Sequence, residues 1–343
     1  MADALYVLLT DRVRKREDAC DVWAAVPAVM GNCDDRKTYE MHGAALAYAW
    51  LHLPERYIRT WLALQRLLEH CLLPMGSEGV RALDVGTGPG PSAFATHDFY
   101  AALVRYAEIS GNERWRQPAH LMCVECAGGM NGLRHHLAEI LHGLGSPRDV
   151  LAMCGHLTDF QSIQPSRERK DLESVLRDSC DEYFNDRFDE WESVPRHTPE
   201  EANRIANAQH RYRLFTFSNF LTTPPVVERY RSNLEDILAD AQPGSVVLVI
   251  GGKGGDYPQI YSMIGDLATN AGFSRKAERL SVSCSDAGMN HMVHSERARF
   301  YRRLVGLAGD LSDGDPAARR VKEHCEGEHY YEPPDSTIHA HRK

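Results

Sequence analysis

The chain has 343 residues, with 43% hydrophobic and 25% charged residues, the balance of an ordinary globular protein of one large domain or two small ones. Its formal net charge of -9, from 39 Lys and Arg against 48 Asp and Glu, argues against a nucleic-acid partner, because that binding depends on cations neutralising phosphates. No apolar run approaches the roughly 18 residues that span a bilayer, so no membrane segment is expected. The opening "MADALYVLLTDRVRKRED" puts acids first and basic residues after the apolar stretch, the reverse of a secretory signal. Nine cysteines without a paired framework fit reduced thiols, and a cytoplasmic location is expected.

Residues 1–78 read as a helical region. "MHGAALAYAWLHL" is one helix, ended by Pro54, and "PERYIRTWLALQRLLEHCLL" is the next, with Pro54 at its opening position. From Val80 short apolar runs alternate with helical stretches: "VRALDV", "AHLMCVE", "RDVLAMC", "RLFTFSN" and "GSVVLVIGG". That alternation predicts an α/β domain over 79–305, a Rossmann-like doubly wound, mostly parallel sheet with helices on both faces. Residues 165–211 break the rhythm and read as a two-helix insertion, with Leu172, Leu176, Cys180, Tyr183, Phe184 and Trp191 near one face, suited to a lid. Residues 306–343 read as a polar tail, partly disordered.

"RALDVGTGPGPSAF", Arg81–Phe94, joins an apolar strand to a glycine-rich turn. A phosphate-binding P-loop needs GxxxxGK[ST], which the chain lacks: the lysine of "GGKGGD" is followed by glycine. A dinucleotide fingerprint needs GxGxxG, and from Gly86 its third glycine is Pro91. The stretch reads D-x-G-x-G-x-G through Asp84, Gly86, Gly88 and Gly90, with Thr87 between. It resembles the first motif of class I S-adenosylmethionine-dependent methyltransferases. The glycines suit a ligand approached closely by backbone.

The resemblance covers residues 80 to about 300 and implies further roles. Glu125, with Cys126 beside it in "HLMCVECAGGM", would accept both ribose hydroxyls, as one carboxylate can. Asp159 and Phe160 would meet the adenine, and Ser218 and Asn219 in "FSNFLTTPP" would lie beneath the transferring methyl group. The family's DNA N-methyltransferases carry Asn-Pro-Pro-aromatic there, and this chain lacks the prolines between Asn219 and Phe220. His156 and His97, near a strand end and the loop, are candidate bases, as are His291 and His294 more weakly. Tyr183, Phe184, Trp191, Tyr212, Phe217 and Tyr257 are candidate pocket walls.

Methyl transfer from a sulfonium is an in-line displacement, carried mainly by proximity and orientation. The expected function is therefore a methyltransferase using S-adenosyl-L-methionine on a small-molecule acceptor, with a homodimer left open. An RNA methyltransferase, a non-methylating enzyme that uses the same cofactor, and a binding protein without catalysis remain alternatives. No metal is expected: Cys123 and Cys126 form CxxC without two further ligands at suitable spacing, and His324, Cys325 and His329 read as solvated residues.

Overall fold

The computed structural model describes residues 1–31, 36–75, 80–112, 119–143, 153–157, 180–185, 190–195, 212–274, 278–282, 287–327 and 336–343. The N-terminal region is helical: α1 (Ala2–Arg12), α2 (Arg16–Gly31), α3 (Arg36–Glu40) and α4 (Ala44–Glu69). Pro54 lies inside α4 rather than between two helices. The buried stripe of Ala47, Trp50, Leu51, Ile58, Leu64 and Leu67 runs straight through it. Each such large side chain gains roughly 1.5–3 kcal/mol on burial. Together they outweigh the ~3 kcal/mol that an interior proline costs.

Alternation of strands and helices then begins. The strands are β1 (Val80–Val85), β2 (Ala119–Glu125), β3 (Met153–Leu157), β4 (Cys180–Asn185), β5 (Glu190–Pro195), β6 (Leu214–Ser218), β7 (Val246–Gly251), β8 (Glu278–Val282) and β9 (Ser336–Arg342). The helices are α5 (Pro91–Ile109), α6 (Gly128–Gly143), α7 (Pro224–Arg229), α8 (Arg231–Ala239), α9 (Tyr257–Asn270), α10 (Ala287–Ala308) and α11 (Pro316–Glu326).

Seven strands form one sheet in the order β3-β2-β1-β6-β7-β9-β8. The first five are parallel, and β9 is antiparallel to both of its neighbours. Alternate residues feed two cores. Val246, Leu248 and Ile250 of β7 join the core under α4, α5 and α6, while Val247 and Val249 join the one under α7, α8 and α9. This is a Rossmann-like, doubly wound sheet covered on both faces. From β1 the chain moves outward to β2 and β3, and from β6 it moves the other way to β7. The order therefore reverses between β1 and β6, and the crevice above that point is where open α/β sheets bind ligands.

Two expectations are corrected. Residues 180–185 and 190–195 are not helical: β4 and β5 pair antiparallel, with Phe184 opposite Trp191 and Tyr183 opposite Glu192. Aromatic residues favour a pleated ladder, and that preference overrides the helical spacing of the same letters. The remainder of 165–211 lies outside the described residues. The tail is the second correction. It contributes α11 and then β9, which wedges between β7 and β8. Ile338 and Ala340 enter one core, whereas His339 and His341 are buried on the opposite face. The His339 ring stacks on Tyr261 with centroids 3.9 Å apart. Histidines in a buried strand hide the apolar run that would have announced it.

If β9 is a central strand, Ile338→Ala should destabilise the protein by about 2–4 kcal/mol, the usual cost of such a core truncation. Urea unfolding measures it; a shift below about 0.5 kcal/mol would mean that the C-terminal segment frays.

Candidate functional site

The loop after β1 is tied down by β2. The backbone N–H groups of Gly86 and Thr87 both donate to the Val124 carbonyl, at 2.9 and 3.1 Å. The next donor, Gly88 N–H, goes to the Glu125 carboxylate at 2.7 Å. The other oxygen of Glu125 accepts from Ala127 N–H at 2.8 Å. All three motif glycines have positive φ, +66° at Gly86, +59° at Gly88 and +94° at Gly90, which L side chains rarely adopt. Gly90 then caps α5, with Pro91 opening the helix.

Asp84 is turned into the protein interior. It is 2% exposed, and its two oxygens accept from the Ser92 hydroxyl at 3.0 Å each. Thr87, also buried, donates its hydroxyl to the Asp84 carbonyl at 2.8 Å. Burial is the main reason that the Asp84 carboxyl is pushed up to about 7, against the pull of the Ser92 and Thr87 hydroxyls and the Arg134 guanidinium.

Across the switch point, β6 ends at Ser218, and Asn219 follows with φ +53°. A non-glycine residue in that region is strained, though Asn tolerates it better than most, and such strain gathers at functional sites. Asn219 N–H donates to the Ile250 carbonyl at 3.1 Å, tying β6 to β7. Its Nδ2 faces the Ser218 hydroxyl and its Oδ1 the Tyr257 hydroxyl, each at a long 3.4 Å. Gly86, Glu125, Cys126, Asn219, Phe220 and Tyr257 are thus half-buried groups around the carboxyl ends of β1, β2 and β6, and Ser218 is buried behind them.

The other expected residues divide. His156 lies on β3 with its backbone opposite Val124, at the far side of β2 from the loop. Asp159 and Phe160 fall outside the described residues. Tyr212 and Phe217 are core residues rather than pocket walls, 4% and 1% exposed beside Phe215. His97 is 1% exposed, with Nδ1 held by Asp98 at 3.1 Å. Among the described residues, no group of three or more His, Cys, Asp or Glu could hold a metal ion.

Three further residues shape the loop and were not among the site residues expected from the sequence. Tyr48 of α4 lies over Gly88, within 3.6 Å of where a Cβ there would sit. Phe220 fills the Cβ side of Gly86, so a side chain on that glycine would collide with the ring. Gly86→Val would therefore disturb packing and is a poor probe of ligand binding. Arg134 of α6 is fully buried, its Cγ 3.0 Å from the Cβ position of Gly90 and its guanidinium donating to Asn131 at 2.8 Å. Each acts on the loop from a distant part of the chain, and no local motif encodes that contact.

No family model matches the chain, and no curated protein does. Solved structures of similar outline include two methyltransferases and a cyclopropane synthase. Phosphoethanolamine N-methyltransferase 2 of Haemonchus contortus, in complex with phosphomonomethylethanolamine and S-adenosylhomocysteine, is 14% identical with a TM-score of 0.38, over 82% of this chain and 52% of that one. The chain spans about half the length of that enzyme. Magnesium protoporphyrin IX methyltransferase of Synechocystis PCC 6803, with bound S-adenosylmethionine, is 9% identical with a TM-score of 0.38, over 83% and 80% of the two chains. The cyclopropane synthase MmaA2 of Mycobacterium tuberculosis is 10% identical with a TM-score of 0.41, over 81% and 83%.

The buried Asp84 sets a pH dependence. Its carboxyl is raised in the folded state, so the folded protein holds that proton more tightly than the unfolded chain does. The stability it contributes is full below about pH 4 and is lost as pH rises through about 7. A limit of roughly 4 kcal/mol follows from about three pH units at 1.36 kcal/mol each. Asp84→Asn should remove this component, so that the difference in unfolding free energy between variant and wild type grows from pH 4.5 to 7.5. A constant difference across that range would mean that Asp84 is ionised throughout.

Proposed function

We propose that the chain is an S-adenosylmethionine-dependent methyltransferase acting on a small molecule. The observation that carries this reading is Glu125. It stands half-buried at the carboxyl end of β2, beside the switch point, with each oxygen already accepting one backbone N–H. A carboxylate has about four acceptor positions, so two remain, one on each oxygen. That is the provision a vicinal diol such as a ribose needs. The residues fit the cofactor in other respects: the turn carries no phosphate-binding lysine, and Gly86 leaves a half-exposed stretch of backbone between Glu125 and Asn219.

When bound, the cofactor supplies an electrophilic methyl group on a sulfonium. Glu125 would hold the ribose, while Asn219 and Ser218 line the side of the crevice opposite β2. The long contacts of Asn219 leave its amide free to tighten onto a substrate, and its strained backbone fixes where that amide points. Positioning of this kind supplies most of the rate in an in-line displacement. The acidic balance of the chain favours a small acceptor over an RNA, which would want a contiguous basic surface.

Calorimetry should detect S-adenosylmethionine binding, and Glu125→Gln should weaken it by about ten- to a hundredfold, the worth of roughly 1.5–3 kcal/mol for a charged acceptor. Normal binding by a folded Glu125→Gln protein would remove the residue from the site. Incubation with the small-molecule fraction of a cell extract should accumulate S-adenosylhomocysteine. Accumulation of methylthioadenosine would instead mean attack on the aminobutyrate chain and overturn methyl transfer.

A further inference from the structure

We propose that Tyr257 selects an acceptor that carries a hydroxyl group, positioning it against Asn219 at the carboxyl end of β6. The proposal rests on the methyltransferase reading and adds to it the reacting group of the acceptor and the residue that holds it.

Strand order sets this pair apart from Glu125. Along the carboxyl edge of the sheet, β2, β1, β6 and β7 follow one another. Neighbouring strands lie about 4.8 Å apart, so the ends of β2 and β7 are separated by roughly 14 Å. Glu125 stands at one end of that stretch and Tyr257 at the other.

Two half-buried rings flank Asn219. Phe220 packs over Gly86 on the β1 side, and Tyr257 packs over Gly251 and Gly252 at the end of β7. A Cβ on Gly251 would collide with the Tyr257 ring, and one on Gly252 would lie 3.0 Å from it. The first two glycines of "GGKGGD" thus give this ring its seat, a use for the run that needs no phosphate. Tyr261 backs the ring, with centroids 5.8 Å apart, and its own hydroxyl donates to the Gly252 and Thr337 carbonyls at 3.0 and 3.1 Å. The opening of α9, the end of β7 and the start of β9 together set where the Tyr257 hydroxyl stands. The rings of Phe220 and Tyr257 offer apolar walls for the body of a small molecule, with the polar groups of Asn219 between them.

The polarity of those groups selects the acceptor. The Tyr257 hydroxyl has one hydrogen, and it faces Asn219 Oδ1 at 3.4 Å. Toward any other group the phenol oxygen is then an acceptor only. Asn219 Nδ2 has two hydrogens, of which one faces the Ser218 hydroxyl oxygen at 3.4 Å and the second is left for a ligand. The pair therefore offers one acceptor and one donor side by side. A hydroxyl answers both, donating to Tyr257 and accepting from Asn219. An ether or a carboxylate brings no hydrogen for Tyr257, and an ammonium brings no lone pair for Asn219. Contacts of 3.4 Å are long, and such bonds in a catalytic site commonly shorten when substrate arrives. With its hydrogen committed to Asn219, Tyr257 is a positioning residue and not a base.

Benzyl alcohol and benzyl methyl ether, titrated by calorimetry in the presence of S-adenosylhomocysteine, test this role. The alcohol should bind at least tenfold more tightly than the ether. Tyr257→Phe keeps a ring on the two glycines and should bring the probes within twofold of each other, with S-adenosylhomocysteine affinity unchanged. Gly251→Ala keeps the hydroxyl but displaces the ring, and should lose the preference as well. Nitrogen NMR of the Asn219 side-chain amide should show resonances that move when the alcohol is added to the wild type and stay in place in Tyr257→Phe, a response that a merely structural tyrosine would not give. Equal affinity for the two probes in the wild type, or a preference that survives Tyr257→Phe, would overturn the proposal. Failure of the wild type to bind S-adenosylhomocysteine would sink the methyltransferase reading instead.

Discussion

The crevice depends on how β2 ends. Three consecutive donors of the glycine loop, at Gly86, Thr87 and Gly88, are taken by two adjacent residues of the neighbouring strand, Val124 and Glu125. The last of these bonds is to a carboxylate, and charge-assisted bonds are roughly twice as strong as neutral ones. A turn of left-handed glycines would otherwise sample many conformations, and fixing them costs backbone entropy. By anchoring the loop before any ligand arrives, β2 moves that cost into folding. The acid at the end of β2 thus has two tasks, the shape of the loop and its remaining acceptor positions, and a substitution there touches both.

The cover over the crevice is set by a second buried device. Glu55 of α4 lies between Arg59 of the same helix and Arg297 of α10, with all three side chains under a tenth exposed. The Trp50 indole donates to the Arg297 carbonyl at 3.0 Å, and the Arg297 guanidinium also reaches the Leu51 carbonyl. Buried ion pairs are weak evidence of stability, since desolvation offsets most of their attraction. Their directional bonds do fix register. Here they hold α4 against α10 at one axial position, and that position sets Tyr48 above Gly88.

The sequence was most legible where local chemistry and tertiary context agree. Strands β1 and β2 are short, mostly apolar runs, and their bounds match the letters "VRALDV" and "AHLMCVE". The glycine loop was equally plain. Legibility failed where burial overruled local preference. Pro54 reads as a boundary, but the apolar stripe on either side carries the helix through it. His339 and His341 fall in what reads as a polar tail, but they pack against α9, with the His341 ring 3.3 Å from the Cβ position of Gly265. Burial also holds the His341 imidazole below its ordinary range. The aromatic letters of 180–195 fit a helical face until a second strand offers them a ladder.

The motif letters themselves turn out to serve several masters. Asp84 is held at its position by Ser92 and by the packing around it. Gly90 must be glycine because Phe94 and Arg134 crowd it at 2.7 and 3.0 Å. Gly88 is buried beneath Tyr48, and Gly86 is pressed on its Cβ side by Phe220 while its other side stays half-exposed. Of the acid and three glycines that make the pattern recognisable, most are explained by folding this turn between β1, α5 and α6. The half-buried surface of the crevice is Gly86 together with groups outside the motif, Glu125, Asn219 and Tyr257. A motif of this kind therefore marks where the strand hands over to the helix, and the residues that decide what binds there come from neighbouring strands brought alongside by the switch in strand order.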